Sequence, residues 1–272
     1  MRRAPLAAFL GPCQSTFPGA VRGTLLAACI AAFAVATPAA AGPDPSRDVL
    51  WAALKTCVLA KRVANRTFPC LSVDLGDRDR PGSAVLRAPG EPTHIVVMPT
   101  DTVAGLEAPV LRGPPGVAYW RAALAARPFV SGVLDGKLPL DAVGLAVNSA
   151  RGRSQDQLHI HLDCLRPSVL KAVRAHGRHV RRTWSRFPVP LAGDRYEALR
   201  VPEAEAAQFN PFAALRSLPG ARPDLHRTSF AALATPPGDP EPGFILLAYR
   251  APSASAEDVM DHSCAVASGR GA

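Results

Sequence analysis

The sequence predicts an α+β fold in which helices flank an antiparallel sheet. Two short apolar runs, residues 83–87 and 94–98, lie on either side of Pro89-Gly90, and such a pair around a turn is typical of a β-hairpin. Two further runs, residues 143–147 and 157–163, are joined by a polar, basic loop that has no helical pattern. Parallel strands need a long crossover, usually a helix, so this pair is also expected to be antiparallel.

Helical spacing of apolar residues predicts five helices along the chain, over residues 48–63, 117–127, 168–186, 203–218 and 256–267. Ser46 is a candidate N-cap for the first helix. The third helix is basic over most of its surface, which suits either a solvated helix or one that faces anions or a membrane. The apolar runs 229–234 and 244–249 flank a turn rich in proline and glycine, which predicts a last hairpin.

Residues 1–41 have the composition of an export leader. A basic start is followed by an uncharged run of 19 residues, 23–41, which ends in three alanines before Gly42. Small residues at that point fit a signal-peptide cleavage site. The run is also close to the ~20 residues that a membrane-spanning helix needs. The leader is therefore either a signal peptide or an N-terminal membrane anchor, and both place residues 42–272 outside the cytoplasm.

The composition of the 272-residue chain, 48% hydrophobic and 19% charged, is that of a globular protein and excludes a disordered or fibrous one. The formal charge is +9. Three of the 31 basic residues and none of the 22 acidic ones lie in the leader, which leaves +6 for the remainder. This surplus favours nucleic acid, phosphorylated small molecules or anionic lipid headgroups as partners, and the sign of the charge does not choose among them.

Four cysteines remain after the leader, and an even number in an exported chain predicts disulfides. Of the three possible pairings, we favour Cys57–Cys70, which are close in sequence, together with Cys164–Cys264. Buried free thiols are the alternative. A zinc site is less favoured because no Cys-x-x-Cys pair occurs.

The segment RSQDQLHIHLDCL, residues 153–165, alternates polar and apolar side chains from Gln157 onward. A strand with this pattern places Gln157, His159, His161 and Asp163 on one face. Two alternating histidines have three explanations: a solvated face, a metal site that takes a third ligand, or a nucleophilic imidazole.

The longer motif AVNSARGRSQDQLHIHLD resembles the histidine triad (HIT) superfamily, whose signature is His-x-His-x-His/Gln after a glycine-containing loop and an asparagine. With LKTCV, FPCLSVDL, HIVVMPTDTVAGLEAPVL and YWRAALAARPFV, residues 48–266 resemble the CDP-diacylglycerol pyrophosphatase family. The resemblance implies a HIT-like sheet in a catalytic domain over residues 42–272, with a C-terminal α+β extension. It also implies hydrolysis of CDP-diacylglycerol to CMP and phosphatidic acid at the periplasmic face of the inner membrane. Membrane surface is then an expected partner, nucleic acid is not, no metal or other cofactor is expected, and oligomeric state stays open.

In the implied mechanism, a neutral histidine attacks the phosphorus nearest the nucleoside, and water then hydrolyses the nucleotidyl-histidine. Only two of the three triad positions are histidine, so two registers are possible: either His159 or His161 is the nucleophile. We favour His159, because the other register places Asp163 beside a diphosphate. In our register, Gln157 donates a hydrogen bond and Asp163 raises the pKa of His161. The spacing from Asn148 and Gln155 favours the other register.

The resemblance and the residue types give candidate phosphate- and substrate-binding side chains: Asn148, Ser154, Gln155, Gln157, Asp163, Arg153 and His94, with Arg151 as a further candidate. Structural roles are the alternative for each. Three other functions stay open. These are hydrolysis of soluble nucleotide diphosphates, metal binding by His159 and His161 with His94 as third ligand, and non-catalytic binding of a lipid or nucleotide.

Overall fold

The computed structural model describes residues 49–220 and 224–268, so the predicted leader lies outside the described residues. The strands are β1 Ser72–Asp74, β2 Ser83–Arg87, β3 Ile95–Pro99, β4 Val143–Val147, β5 Ile160–Cys164, β6 Ser185–Arg186, β7 Glu197–Pro202, β8 Thr228–Ala234 and β9 Gly243–Arg250. The α-helices are α1 Val49–Ala64, α2 Pro114–Ala126, α3 Pro128–Gly132, α4 Pro167–His176, α5 Glu203–Ala206 and α6 Pro211–Ala214. None of the described helices is long and apolar enough to cross a bilayer.

The strands form one sheet in the order β1-β2-β3-β5-β4-β8-β9-β7-β6, and every neighbouring pair is antiparallel. This arrangement confirms the predicted α+β class. The three expected strand pairs, β2 with β3, β4 with β5 and β8 with β9, are all present. The segment expected as a C-terminal extension continues the same sheet, because β8, β9, β7 and β6 follow β4.

The third predicted helix is shorter than expected, and the prediction of a helix over 168–186 was wrong in its second half. α4 ends at His176, and a 3-10 turn follows over Gly177–His179. The buried guanidinium of Arg200 donates to the backbone oxygens of Gly177 at 2.8 Å and Val180 at 3.0 Å. These bonds hold the chain in a turn, because a buried guanidinium needs acceptors and a continuing helix would not offer those carbonyls.

The predicted helix over 203–218 is broken into α5, α6 and a 3-10 turn. The side chain of Asn210 caps α6 by accepting a hydrogen bond from the N–H of Ala213 at 3.0 Å. Pro211 occupies the first turn of α6, where its missing N–H costs nothing. A new helix therefore begins at this point.

The predicted helix over 256–267 was also wrong, since the chain forms two 3-10 turns there, Ala256–Val259 and Ala265–Ser268. Between them, Met260 forms an isolated bridge with Leu165. Cys264 has a positive φ of 52°, outside the helical region. This C-terminal segment is consequently an irregular strap beside the end of β5.

The two faces of the sheet are covered differently. Ile160 and Leu162 belong to the main core on one face, whereas α1 packs Leu54 against Val96 and Met98 in a second cluster. Val96 is the register partner of His161. Residues directly opposite in an antiparallel pair share a face, so the histidine face of β5 is the face on which α1 packs.

Both favoured disulfides are present in the structure. Cys57–Cys70 joins α1 to the segment after it, with 5.7 Å between the Cα atoms. Cys164–Cys264 joins the end of β5 to the C-terminal strap across 100 residues, with 5.2 Å between the Cα atoms. The second bridge holds the strap next to the histidine-bearing strand.

Candidate active site

β5 places His161 at the centre of the sheet, between β3 and β4, and His159 lies immediately before this strand. His161 lies opposite Val96 on one side and Ala146 on the other. The predicted strand over 157–163 begins only at Ile160, so His159 precedes the strand. Both imidazoles are buried, and their ring centroids are 4.7 Å apart in an edge arrangement.

Gln157 supports the loop that follows β3. Its buried side-chain nitrogen donates to the backbone oxygens of Pro99 at 3.1 Å and Asp101 at 2.7 Å. Its side-chain oxygen accepts from the N–H of Val103 at 3.0 Å. The structure therefore places Gln157 as a support of the loop, whereas the sequence suggested a hydrogen-bond donor to the diphosphate.

His159 has a defined orientation. Its Nδ1 atom lies 2.6 Å from the backbone oxygen of Gln157. A carbonyl oxygen only accepts hydrogen bonds, so Nδ1 carries the proton and Nε2 of the neutral ring carries the lone pair. In the neutral ring this is the tautomer that a nucleophilic imidazole requires.

His161 is linked to His94 and two acidic side chains. Nδ1 of His94 bonds the carboxylate of Glu91, so its Nε2 is the acceptor in the neutral ring. That Nε2 lies 2.8 Å from Nδ1 of His161, which also lies 3.1 Å from the Glu257 carboxylate. His161 accordingly donates from Nδ1 to both neighbours.

Burial, followed by the neighbouring imidazoles of His159, His94 and His262, holds the pKa of His161 well below its usual range. His161 is thus neutral near pH 7. Its Nε2 atom is buried and has no hydrogen-bond partner among the described residues. A buried acceptor of this kind beside His159 is suited to hold a donor supplied by substrate or water.

Asp163 pairs with His262, a residue that sequence reasoning missed. The Asp163 carboxylate is fully buried and lies 2.7 Å from Nδ1 of His262. Burial by itself lowers the pKa of His262, but the hydrogen bond and charge of Asp163, together with the charges of Glu91 and Glu257, outweigh it, so this pKa is raised. The expectation that Asp163 raises the pKa of His161 was wrong, because the strap places His262 against this carboxylate.

Asn148 binds Glu257 at two points. Its side-chain nitrogen donates to the carboxylate at 2.8 Å, and its oxygen accepts the backbone N–H of Glu257 at 3.2 Å. The other carboxylate oxygen faces His161, and it also lies 3.6 Å from His94 and from His262. Asn148 therefore orients the carboxylate that the three imidazoles share.

The remaining predicted residues lie in or near the loop between β4 and β5. The guanidinium of buried Arg153 pairs with Glu107 at 2.8 Å and Asp156 at 3.1 Å, so it is held in an ion-pair network. Gln155 accepts a hydrogen bond from the N–H of Leu50 at 3.3 Å, which ties the loop to α1. Ser154 and Arg151 are exposed.

The candidate site is a cluster of imidazoles and carboxylates, formed by His94, His159, His161, His262, Asp163, Glu91 and Glu257. Three of these residues, Glu91, Glu257 and His262, were not identified from the sequence as parts of the site. One signal could have found His262. The favoured Cys164–Cys264 bridge joins the residue after Asp163 to the second residue after His262, so the pairing alone would have brought these two side chains together. Glu91 and Glu257 carried no such signal.

Two cavities, of about 340 and 530 Å³, are both lined by His262. Glu257 lines the larger one, and His159 lines neither. His262 is 36% exposed in its side chain, while His159 is buried. The cluster therefore meets solvent through His262 and through Glu91, whose side chain is 41% exposed.

Two groups of side chains in the described part of the chain bring three metal-ligand atoms within 4.8 Å of one another: Glu91, His94 and His262, and His94, His161 and Glu257. Neither group is the His94, His159 and His161 set considered from the sequence. His159 belongs to neither group.

Comparison with known proteins adds to this geometry. A family model described as CDP-diacylglycerol pyrophosphatase matches residues 45–268. A CDP-diacylglycerol pyrophosphatase of Yersinia pestis is 34% identical over 226 residues, which cover 80% of this chain and 84% of the relative.

Proposed function

The chain belongs to the CDP-diacylglycerol pyrophosphatase family, and we propose that it hydrolyses CDP-diacylglycerol to CMP and phosphatidic acid through a nucleotidyl-histidine intermediate on His159. Family membership supports the substrate and the bond cleaved. One observation carries the proposed mechanism: the carbonyl of Gln157 fixes the proton of His159 on Nδ1, which leaves Nε2 as the nucleophilic nitrogen.

In the first step, Nε2 of His159 attacks the phosphorus of the CMP half. The P–N bond forms, the bond from this phosphorus to the bridging oxygen breaks, and phosphatidate leaves as an anion. Positive charge develops on the imidazole and is stabilised by the hydrogen bond from Nδ1 to the Gln157 oxygen. In the second step, water attacks the same phosphorus and loses a proton to solvent, the P–N bond breaks with its electron pair returning to Nε2, and CMP is released.

His161 acts beside the nucleophile. Its depressed pKa keeps the ring neutral, so Nε2 accepts hydrogen bonds and does not donate them. We assign this nitrogen the role of holding the attacking water, or a substrate hydroxyl, next to His159. His94, Glu257 and Asn148 keep His161 in the required tautomer through the contacts to its Nδ1 and to the shared carboxylate.

Disulfides persist in oxidising compartments, so the two bridges support export of the protein. We place it at the periplasmic face of the inner membrane, either anchored by the leader or released from it. Mass spectrometry of the N-terminus of protein isolated from the periplasmic and membrane fractions distinguishes these two forms.

The proposed activity is tested by incubating the full chain with CDP-diacylglycerol and measuring CMP and phosphatidate. Equimolar products are expected, and His159→Asn should abolish their formation. His179→Asn, a change at an exposed histidine in a different part of the chain, is the matched control and should leave the rate unchanged. Failure of the unmodified protein to release CMP, or clear preference for a soluble dinucleotide, contradicts the proposed substrate.

A further inference from the structure

The three most exposed large apolar side chains of the described residues lie within ten positions of one another. Leu59 is 62% exposed, Val63 77% and Phe68 82%, and other large apolar side chains reach 57% at most. Leu59 and Val63 are four residues apart on α1, so they share a helix face. The Cys57–Cys70 bridge ties the Phe68 segment back to this helix. We call these three residues the α1 surface.

The α1 surface is surrounded by positive charge. Residues 49–73 contain Lys55, Lys61, Arg62 and Arg66 and no acidic residue. Among residues 49–220 and 224–268, no carboxylate lies within ion-pair distance of these four cations. Exposed apolar side chains surrounded by cations are the composition of segments that bind at an anionic membrane interface.

One residue of the α1 surface, Leu59, lines a groove that leads toward the candidate site. A groove of about 210 Å³ runs along one stripe of α1 to Thr100, and its lining residues are Trp51, Leu54, Lys55, Val58, Leu59, Arg62 and Thr100. Thr100 lies between the two carbonyls that Gln157 binds. At the start of the helix, Leu50 contacts Gln155 in the loop before His159. The groove thus extends from Leu59 to Thr100, in the loop that Gln157 supports.

We infer that the α1 surface docks on an anionic lipid bilayer, with Leu59, Val63 and Phe68 inserted at the headgroup level and the four cations bound to lipid phosphates. The inference rests on the proposed function, because a lipid substrate must reach His159 without leaving the bilayer. Dimerisation through this surface is less favourable, since a symmetric contact would bring the same cations together without a described acidic partner.

The test uses the full chain and two substrates: CDP-diacylglycerol in vesicles that contain phosphatidylglycerol, and a short-chain CDP-diacylglycerol below its micelle concentration. The double variant Leu59→Ser/Val63→Ser should lose about tenfold in kcat/KM on vesicles and keep its activity on the soluble substrate. The matched control, Val110→Ser/Leu140→Ser, removes exposed apolar side chains elsewhere and should change neither.

Charge is tested in the same way. Lys61→Gln/Arg62→Gln should lower activity on anionic vesicles. The difference in activity from the unmodified protein should disappear at high salt, because salt screens the attraction between cations and lipid phosphates. Arg178→Gln/Arg181→Gln, in the basic region after α4, is the control and should have no effect. Equal losses of the α1 variants on both substrates, or no loss on vesicles, overturns the inference.

Amide hydrogen exchange provides a readout that is independent of activity. Exchange in residues 59–70 of the full chain should slow in phosphatidylglycerol vesicles and not in phosphatidylcholine vesicles. Protection without hydrolysis of either substrate would contradict the proposed function and leave the docking surface in place. Hydrolysis without protection of residues 59–70, or protection in lipid-free solution that grows with protein concentration, would overturn the docking inference.

Discussion

The Nδ1 atom of His159 lies 2.6 Å from the backbone oxygen of Gln157, two residues earlier in the chain. This contact sets the tautomer of His159 through main-chain geometry alone. His161 has no equivalent contact, because its Nδ1 faces His94 and Glu257 and its Nε2 is buried. The two histidines therefore have different environments, and this difference supports the proposal that His159 is the nucleophile.

Gln157→Ala is expected to reduce stability more than substrate binding. The change leaves three backbone groups, at Pro99, Asp101 and Val103, without their partner. Unsatisfied buried groups cost about 1–3 kcal/mol each, with partial relief from water, so we expect a loss of roughly 2–4 kcal/mol in the free energy of unfolding. Urea denaturation measures this loss. A rise in KM without a change in stability would indicate that Gln157 binds substrate instead.

Asp163→Asn is expected to lower the pKa of His262, because it removes the charge that raises this pKa. NMR titration of the His262 ring measures the change, and His176 serves as an internal reference. The folded protein binds the His262 proton more tightly than the unfolded chain, whose pKa is ~6.5. This contribution to the free energy of unfolding is fully present at pH values below the unfolded-state pKa, and it should be lost as pH rises through the folded-state pKa. The difference in the free energy of unfolding between the unmodified protein and Asp163→Asn should consequently become smaller at alkaline pH. An unchanged His262 titration contradicts the pairing.

Removing the Cys164–Cys264 bridge is expected to affect activity as well as stability. The bridge holds the strap that carries Glu257 and His262 against β5. Cys164→Ala/Cys264→Ala should cost roughly 2–5 kcal/mol and lower kcat on the soluble substrate at temperatures where the protein is still folded. The Cys57→Ala/Cys70→Ala variant is the control, and it should lose stability without that loss of kcat. Equal kcat values for the two variants would contradict the positioning role of the strap.

Chelation is expected to leave the activity intact. The proposed steps use the lone pair of His159, which is not part of either group of converging metal-ligand atoms in the described residues. Protein dialysed against EDTA should keep most of its rate of CMP release. Nearly complete loss, restored by one equivalent of zinc, would instead favour a metal bound by His94, His161 and Glu257.

The sheet was largely predictable because its hairpins are local in sequence. β2 with β3, and β8 with β9, are apolar runs on either side of a turn, and their pattern predicts both the strands and their pairing. β7 was missed because buried Arg200 interrupts its apolar run. The helices predicted over 168–186 and 203–218 were too long because hydrophobic periodicity does not show where a helix ends. The hydrogen bonds of Arg200 end the first helix, and the side-chain cap of Asn210 begins a new helix within the second range.

The site was predictable only in part. His159, His161 and Asn148 were found because they share a motif, and Asp163 was found with them. The partners that determine their chemistry come from far along the chain, as Glu257 is 109 residues from Asn148 and His262 is 99 residues from Asp163. The assignment of Asp163 to His161 failed for this reason: a strand pattern describes neighbours on one strand and not the strap that covers it.

The most direct test of the proposed mechanism is to identify the residue that carries the nucleotide. Full-length protein is mixed with CDP-diacylglycerol labelled in the cytidine, quenched at alkaline pH to preserve a phosphoramidate, digested and mapped by mass spectrometry. The label should be on His159, it should be absent from His159→Asn, and it should persist at reduced yield in His161→Asn. Label on His161, or full turnover with no labelled histidine in rapidly quenched samples, would contradict the proposed role of His159.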